Sequence, residues 1–92
     1  MFMDISFDAD KDAANLAKHK LPLSFGEDVL TNKHGEVEDQ RRDYGEKRMK
    51  AFSQINGLWF QCLYTMRGTV AHIINVHRVK ETEMQRWLKK SG

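Results

Sequence analysis

Leu58-Trp-Phe-Gln-Cys-Leu-Tyr-Thr-Met-Arg-Gly-Thr-Val-Ala-His-Ile-Ile-Asn-Val-His-Arg78 is the stretch that decides the fold. Two β-favouring apolar runs flank Arg67-Gly68, a tight-turn signal, so the segment predicts an antiparallel hairpin. Side chains of a strand alternate between faces. A regular second strand therefore puts Asn75 and His77 on one face and His72, Ile74 and Val76 on the other. Arg78 follows at the exit. A His, an Asn and an Arg ending an apolar strand suit a phosphate better than they suit a core.

Working outward, Lys47 to Ile55 also alternates. Asn56-Gly57 then gives the strongest hairpin signal in the chain, a type I′ turn. The three runs predict an antiparallel meander. Lys80 to Lys90 reads as a closing helix with Met84, Trp87 and Leu88 as its apolar face. Glu81 and Glu83 near its start and Lys89 and Lys90 near its end suit the helix dipole.

Upstream, Phe2 to Phe7 alternates as a short strand. Asp8 is placed to cap a helix whose Ala9, Ala13, Leu16 and Ala17 form a narrow stripe for lying against a sheet. Lys18, His19 and Lys20 fall in its last turn, and Pro22 stops it. Ser24 and Glu27 have capping-box spacing for a second helix to about Leu30, with Phe25, Val29 and Leu30 inward. Thr31 to Gly45 is polar and reads as a mobile surface loop, with Glu36-Val37-Glu38 as a short edge strand. The expected fold class is α+β: a small antiparallel sheet, comprising the meander and an N-terminal strand, packed with two N-terminal helices and one C-terminal helix.

Ninety-two residues suit one domain, with 40% apolar and 30% charged side chains. No apolar run approaches the roughly 20 residues of a membrane span. The N-terminus lacks a signal-peptide pattern, and the lone Cys62 cannot form an internal disulfide, so the cytoplasm is the expected location. Charge is divided unevenly. Residues 1–40 carry four basic and nine acidic side chains, and residues 41–92 carry eleven and four. A basic half suits a polyanion or an acidic partner, and equally suits neutralisation of one half by the other across the fold.

Several residue groups carry chemistry. His77 is the acid–base candidate, because histidine titrates near neutrality. Arg48 and Arg78 are candidates to clamp a phosphate in bidentate fashion. Tyr64 can bond phosphate or stack on a base, or simply serve as a sheet aromatic. Arg67 in its turn, Lys18 and Asn75 are candidate substrate contacts. His19 is another, or else stabilises its helix C-terminus. His34 reads as solvated. The histidines lack metal-ligand spacing, and no cofactor motif is present. The Leu58–Tyr64 run is apolar on both faces, as if helices covered one face and another protein the other. Met49, Met66, Met84, Trp59 and Trp87 read as core.

In order and spacing, Phe7-Asp8, Lys11, Asn15-Leu16, Lys18-His19, Ser24-Phe25, Arg48, Tyr64-Thr65, Arg67-Gly68, Ile73-Ile74, Arg78 and Glu83 make the chain resemble the BrnT toxin family. The resemblance runs nearly the whole chain. It implies a RelE-like α+β fold and metal-independent RNA cleavage that halts translation. It also implies a cognate antitoxin, usually a small DNA-binding protein that neutralises the toxin and represses the shared operon. The chain departs from the pattern at His72, where the family has a basic residue. It departs again at Asn75-Val76-His77, where the family has Ser-Ala-Arg. Two alternatives stay open: a degenerate homologue that only binds its antitoxin and regulates the operon, and a plain nucleic-acid-binding domain.

Overall fold

The computed structural model describes the backbone of residues 3–91 and the side chains of residues 3–89. Its elements are β1 (Ile5–Ser6), α1 (Ala9–His19), a 3₁₀ helix (Leu23–Phe25), α2 (Gly26–Thr31), β2 (Gly35–Glu38), β3 (Met49–Ile55), β4 (Leu58–Arg67), β5 (Val70–Val79) and α3 (Glu81–Ser91). The strands form one five-stranded sheet in the order β1-β5-β4-β3-β2. Every pairing is antiparallel except β1 with β5. The fold is α+β, as the sequence predicts. The expected N-terminal strand shrinks to two residues, and Phe2 lies outside the described residues.

Both hairpins follow their turn chemistry. Ile55 pairs with Leu58 across Asn56 and Gly57, whose φ angles of 53° and 81° are the positive values a type I′ turn requires. Arg67 pairs with Val70 across Gly68 (φ 64°) and Thr69, one residue later than the sequence suggests.

β5 departs from regular alternation. Leu63 pairs with Asn75 and Tyr64 with Ile73, so Ile74 is the extra residue of a β-bulge. The bulge resets the faces. Opposite β4, His72 lies beside Thr65, Asn75 beside Leu63 and His77 beside Gln61. All three therefore share one face, which corrects the expectation that His72 and His77 point apart. They still form no pair. His72 is buried, with Nδ1 2.8 Å from Ser6 Oγ and Nε2 3.9 Å from Asp8 Oδ2. It fastens β1 to the body of the sheet.

One sheet face is covered by the 3₁₀ helix and α2. Leu23, Val29 and Leu30 pack with Ala51, Phe60, Cys62, Tyr64, Ala71, Ile73 and Val76. Burial pushes the Cys62 thiol up to about 12, so it is inert packing at neutral pH. Gly26 starts α2 where a Cβ would stand 3.0 Å from both Cys62 Sγ and Ile73 Cγ2. These neighbours are fully buried. Gly26→Val should therefore cost at least about 1–3 kcal/mol by overpacking, read as a lowered melting temperature.

The other face is covered by α3, through Met84 and Trp87 against Phe52, Val37, Trp59 and Val79. Part of the doubly apolar run of β4, at Trp59, is thus covered by the chain's own helix α3. Leu88 and Met66, expected inside, are 43% and 52% exposed. The segment after β2, expected to be mobile, is anchored by Asp39. Its buried carboxylate accepts hydrogen bonds from Arg41 Nε and Nη2 (2.8 Å each) and from Tyr44 Oη (3.0 Å). The Arg41 guanidinium holds that carboxyl well below the usual range.

α1 attaches in an unexpected way. Its Ala9, Ala13, Leu16 and Ala17 stripe is exposed, with Leu16 at 49%. The inward residues are Asp12, Asn15 and His19, spaced by three and four. Asp12 Oδ1 accepts the N–H of Leu23 at 2.7 Å. Asp8 occupies the N-cap position but makes no side-chain capping bond, and neither does the start of α2, so the capping box does not form.

Candidate active site

β1 pairs with β5 only at Ala71 and His72, which leaves the later part of β5 without a strand neighbour on the edge away from β4. An unpaired edge must be blunted or covered. Here one side chain of α1 does so. Asn15 Nδ2 donates to the carbonyl of Val76 at 2.8 Å, and Asn15 Oδ1 accepts the N–H of Val76 at 3.1 Å. The amide thus stands where a neighbouring strand would place its backbone. The same Nδ2 donates to the Leu21 carbonyl at 2.8 Å, and Oδ1 accepts Asn75 Nδ2 at 3.0 Å. Asn15 is 4% exposed with every hydrogen-bonding capacity used.

Docking α1 this way gathers a polar cluster beside β5. A cleft of about 200 Å³ opens between Lys11, Ala14, Asn15, Lys18 and His19 of α1 and Ile74 and Asn75 of β5. The bulge at Ile74 forms part of its wall. His77 stands beside two of these residues, with its ring centroid 5.3 Å from that of His19 and Nδ1 2.9 Å from Asn75 Oδ1. Among the described residues every buried side-chain nitrogen and oxygen has a hydrogen-bond partner. Among the described residues His77 Nε2 has no hydrogen-bond partner, so this atom is not fully buried. Partial burial lowers the His77 pKa, the charges of His19 and Lys18 lower it further, and Glu83 of α3 offsets part of this. The ring is therefore neutral over a wider pH range than an ordinary histidine.

The eight candidate residues fall into separate places. His77, Asn75, His19 and Lys18 form the cluster just described. Tyr64, Arg48 and Arg67 lie toward the other end of the sheet. His77 sits opposite Gln61 and Arg67 is six residues further along β4, which at roughly 3.4 Å per residue is about 20 Å. Tyr64 also faces the opposite side of the sheet from His77. Arg78 is exposed on the face that Phe60 shares, and joins neither group.

This second group faces carboxylates of its own. Glu46 Oε2 lies 3.4 Å from Arg48 Nε, and Glu46 Oε1 lies 3.7 Å from Arg67 Nη2. Arg48 also stacks over the Tyr44 ring at 4.2 Å. Tyr64 Oη donates to Glu36 Oε1 at 2.5 Å. Burial and Glu36 raise the Tyr64 pKa. Burial alone would raise the Glu36 carboxyl as well, but the Tyr64 hydroxyl and Lys33 outweigh it and lower it. Glu36, Glu46, Lys47, Met49, Tyr64, Thr65 and Met66 line an open cleft there of about 460 Å³.

A family model for BrnT, the ribonuclease toxin of type II toxin–antitoxin systems, matches residues 7–83. The chain belongs to the BrnT toxin family. The match begins at Phe7, before α1, and ends at Glu83, whose charge reaches His77. It therefore spans the whole His19–His77 cluster. A comparison with curated proteins returns no match. The BrnT family is a toxin family of two-component modules, so a protein antitoxin is the partner its membership implies.

Sequence reasoning missed Asn15 as the residue that builds this site, and missed Glu46 as the carboxylate that faces two arginines. An Asn directly after the Ala13-Ala14 pair of α1 was the one available signal for the first. Glu46 lies two residues from Arg48 and offered no periodic cue.

Proposed function

We propose that this BrnT-family chain is a metal-independent endoribonuclease whose chemistry is carried by His77 and His19. The observation that carries this reading is the two-imidazole pair at 5.3 Å beside a lysine-lined cleft. Cleavage without a metal uses the substrate's own 2′-hydroxyl. His77, held neutral, takes the 2′-hydroxyl proton on Nε2. The 2′-oxygen forms a bond to phosphorus, and the bond from phosphorus to the 5′-oxygen breaks. His19 gives a proton to that leaving oxygen. The products are a 2′,3′-cyclic phosphate and a 5′-hydroxyl, and proton exchange with water resets both rings. Lys18 and Lys11 supply positive charge for the phosphate in the cleft. Positioned acid–base groups typically contribute about 10²–10⁴-fold.

The pH profile tests the assignment. A base must be unprotonated, and the His77 pKa is lowered, so the rising limb of kcat/KM should lie below that of an ordinary histidine. Lys18→Ala removes a charge that lowers the pKa and should move this limb up. Glu83→Gln removes one that raises it and should move the limb down. Each shift should be roughly a few tenths of a pH unit, the scale of one screened charge. Shifts in the same direction would contradict the assignment.

The module reading extends to the partner. The antitoxin is proposed to be a small DNA-binding protein that neutralises this chain and regulates the shared operon, with RNA in the cytoplasm as the target. No helix among the described residues is long and apolar enough to cross a membrane.

A second reading is favoured by the charge pairing of the other cleft. Arg48 and Arg67 both face Glu46, and Tyr64 is bonded to Glu36, so a phosphate held by them would compete with these carboxylates. A member that binds only its antitoxin would show tight complex formation and leave RNA intact at every enzyme concentration.

A further inference from the structure

We infer that Asn15 is a positioning residue: acting through Asn75, it fixes the tautomer of His77 so that the unprotonated nitrogen is Nε2. The inference deepens the ribonuclease reading and rests on it for its functional meaning, but the chain of hydrogen bonds behind it does not. A neutral imidazole carries its proton on one nitrogen or the other, and only the bare nitrogen can act as a base. Which nitrogen that is follows from the partners.

The deduction starts from the backbone, where donor and acceptor are fixed. Val76 N–H can only donate, so the Asn15 atom facing it, at 3.1 Å, is the oxygen. The carbonyls of Val76 and Leu21 can only accept, so the Asn15 atom facing both, at 2.8 Å, is the nitrogen. The Asn15 amide therefore cannot be flipped. Its oxygen also faces the Asn75 amide at 3.0 Å, and two oxygens cannot share a hydrogen bond, so that Asn75 atom is Nδ2. Asn75 then turns its own oxygen toward His77 Nδ1 at 2.9 Å. An amide oxygen only accepts, so Nδ1 carries the proton. Nε2 is left with its lone pair and, with no partner among the described residues, is not fully buried.

Each step is set by the one before, and the first is set by main chain that the sheet holds in place. Asn15 thus does for His77 what a carboxylate often does for a catalytic histidine, orienting the ring and selecting the tautomer. It does so without adding a charge, in keeping with the lowered pKa of the ring.

The test is long-range proton–nitrogen NMR of the histidine rings in the full chain at mildly alkaline pH, with His77 assigned by comparison with His77→Ala. The wild type should show Nδ1 at the shift of a protonated ring nitrogen and Nε2 at that of a bare one. In Asn75→Leu, which leaves the Asn15–Val76 bonds intact, the two signals should move together toward averaged values. Asn15→Asp retains an acceptor opposite Asn75 and should keep the wild-type pattern wherever its amide spectrum shows a folded chain. A wild-type His77 protonated on Nε2, or an Asn75→Leu pattern identical to wild type, would overturn the inference. The reading does not depend on RNA cleavage. The expected tautomer in a protein that leaves RNA intact would uphold the relay and sink the ribonuclease proposal instead.

Discussion

His77→Ala should reduce RNA cleavage in excess EDTA by about 10²–10⁴-fold, the usual contribution of a positioned acid–base group. Substrate binding should change little, because the cleft is lined by Lys11, Lys18, His19 and Asn75 and not by His77. The loss should therefore appear in kcat. Arg48→Ala should have a much smaller effect, since that guanidinium is turned to Glu46 and Tyr44 near the far end of the sheet. Measuring both variants on one single-stranded RNA separates the two clusters. A large loss for Arg48→Ala with none for His77→Ala would move the active site to the Tyr64 cleft.

Asn15→Leu should destabilise the chain by at least about 3 kcal/mol. The substitution keeps the branched shape, adds some volume and removes partners from the Val76 N–H, the Val76 carbonyl and the Leu21 carbonyl. Each buried group left unsatisfied costs about 1–3 kcal/mol. Against a total stability of about 5–15 kcal/mol for a domain, that is a large fraction. Urea unfolding should show a lower midpoint at an unchanged slope. The neighbouring Leu16→Ala should shift stability by no more than about 0.5 kcal/mol, because Leu16 is 49% exposed. The polar residue of the pair is structural and the apolar one is not. Near-equal losses for the two variants would refute this account of how α1 docks.

That reversal shows where the sequence was legible and where it was not. The meander was plain in the alternation of Lys47–Ile55, the Asn56-Gly57 turn and the two runs around Gly68, because local backbone preference and hydrophobic period agree there. The edge strand at Gly35–Glu38 and the inward Val29 and Leu30 were legible for the same reason. α1 was legible as a helix but not in its orientation. Apolar periodicity assumes that a helix is held by its apolar stripe, and this one is held by hydrogen bonds to an unpaired strand edge. The bulge at Ile74 was equally hidden. Ile73-Ile74 reads as ordinary alternation on either side, yet the extra residue decides which histidines share a face.

The candidate site was legible in part. The ring of His77 beside Asn75 follows from i, i+2 spacing on one strand, and the sequence marked both. That His19 and Lys18 join them is a tertiary fact, fixed by α1 lying along β5. Arg48, Tyr64 and Arg67 were marked as residue types suited to phosphate, without knowledge of the carboxylates facing them. Whether a charged side chain is available depends on its partners, and Glu36 and Glu46 lie on other segments or out of period. Leu88 and Met66 were misplaced because the apolar faces of α3 and β4 extend beyond what the small sheet can cover.

The most direct test of the central claim is the chemistry of the ends made when the purified chain cuts a long single-stranded RNA in excess EDTA. The account predicts fragments bearing 2′,3′-cyclic phosphates and 5′-hydroxyls, the products of attack by the substrate's own 2′-oxygen. Fragments with 5′-phosphates and 3′-hydroxyls, or RNA left intact, would contradict it.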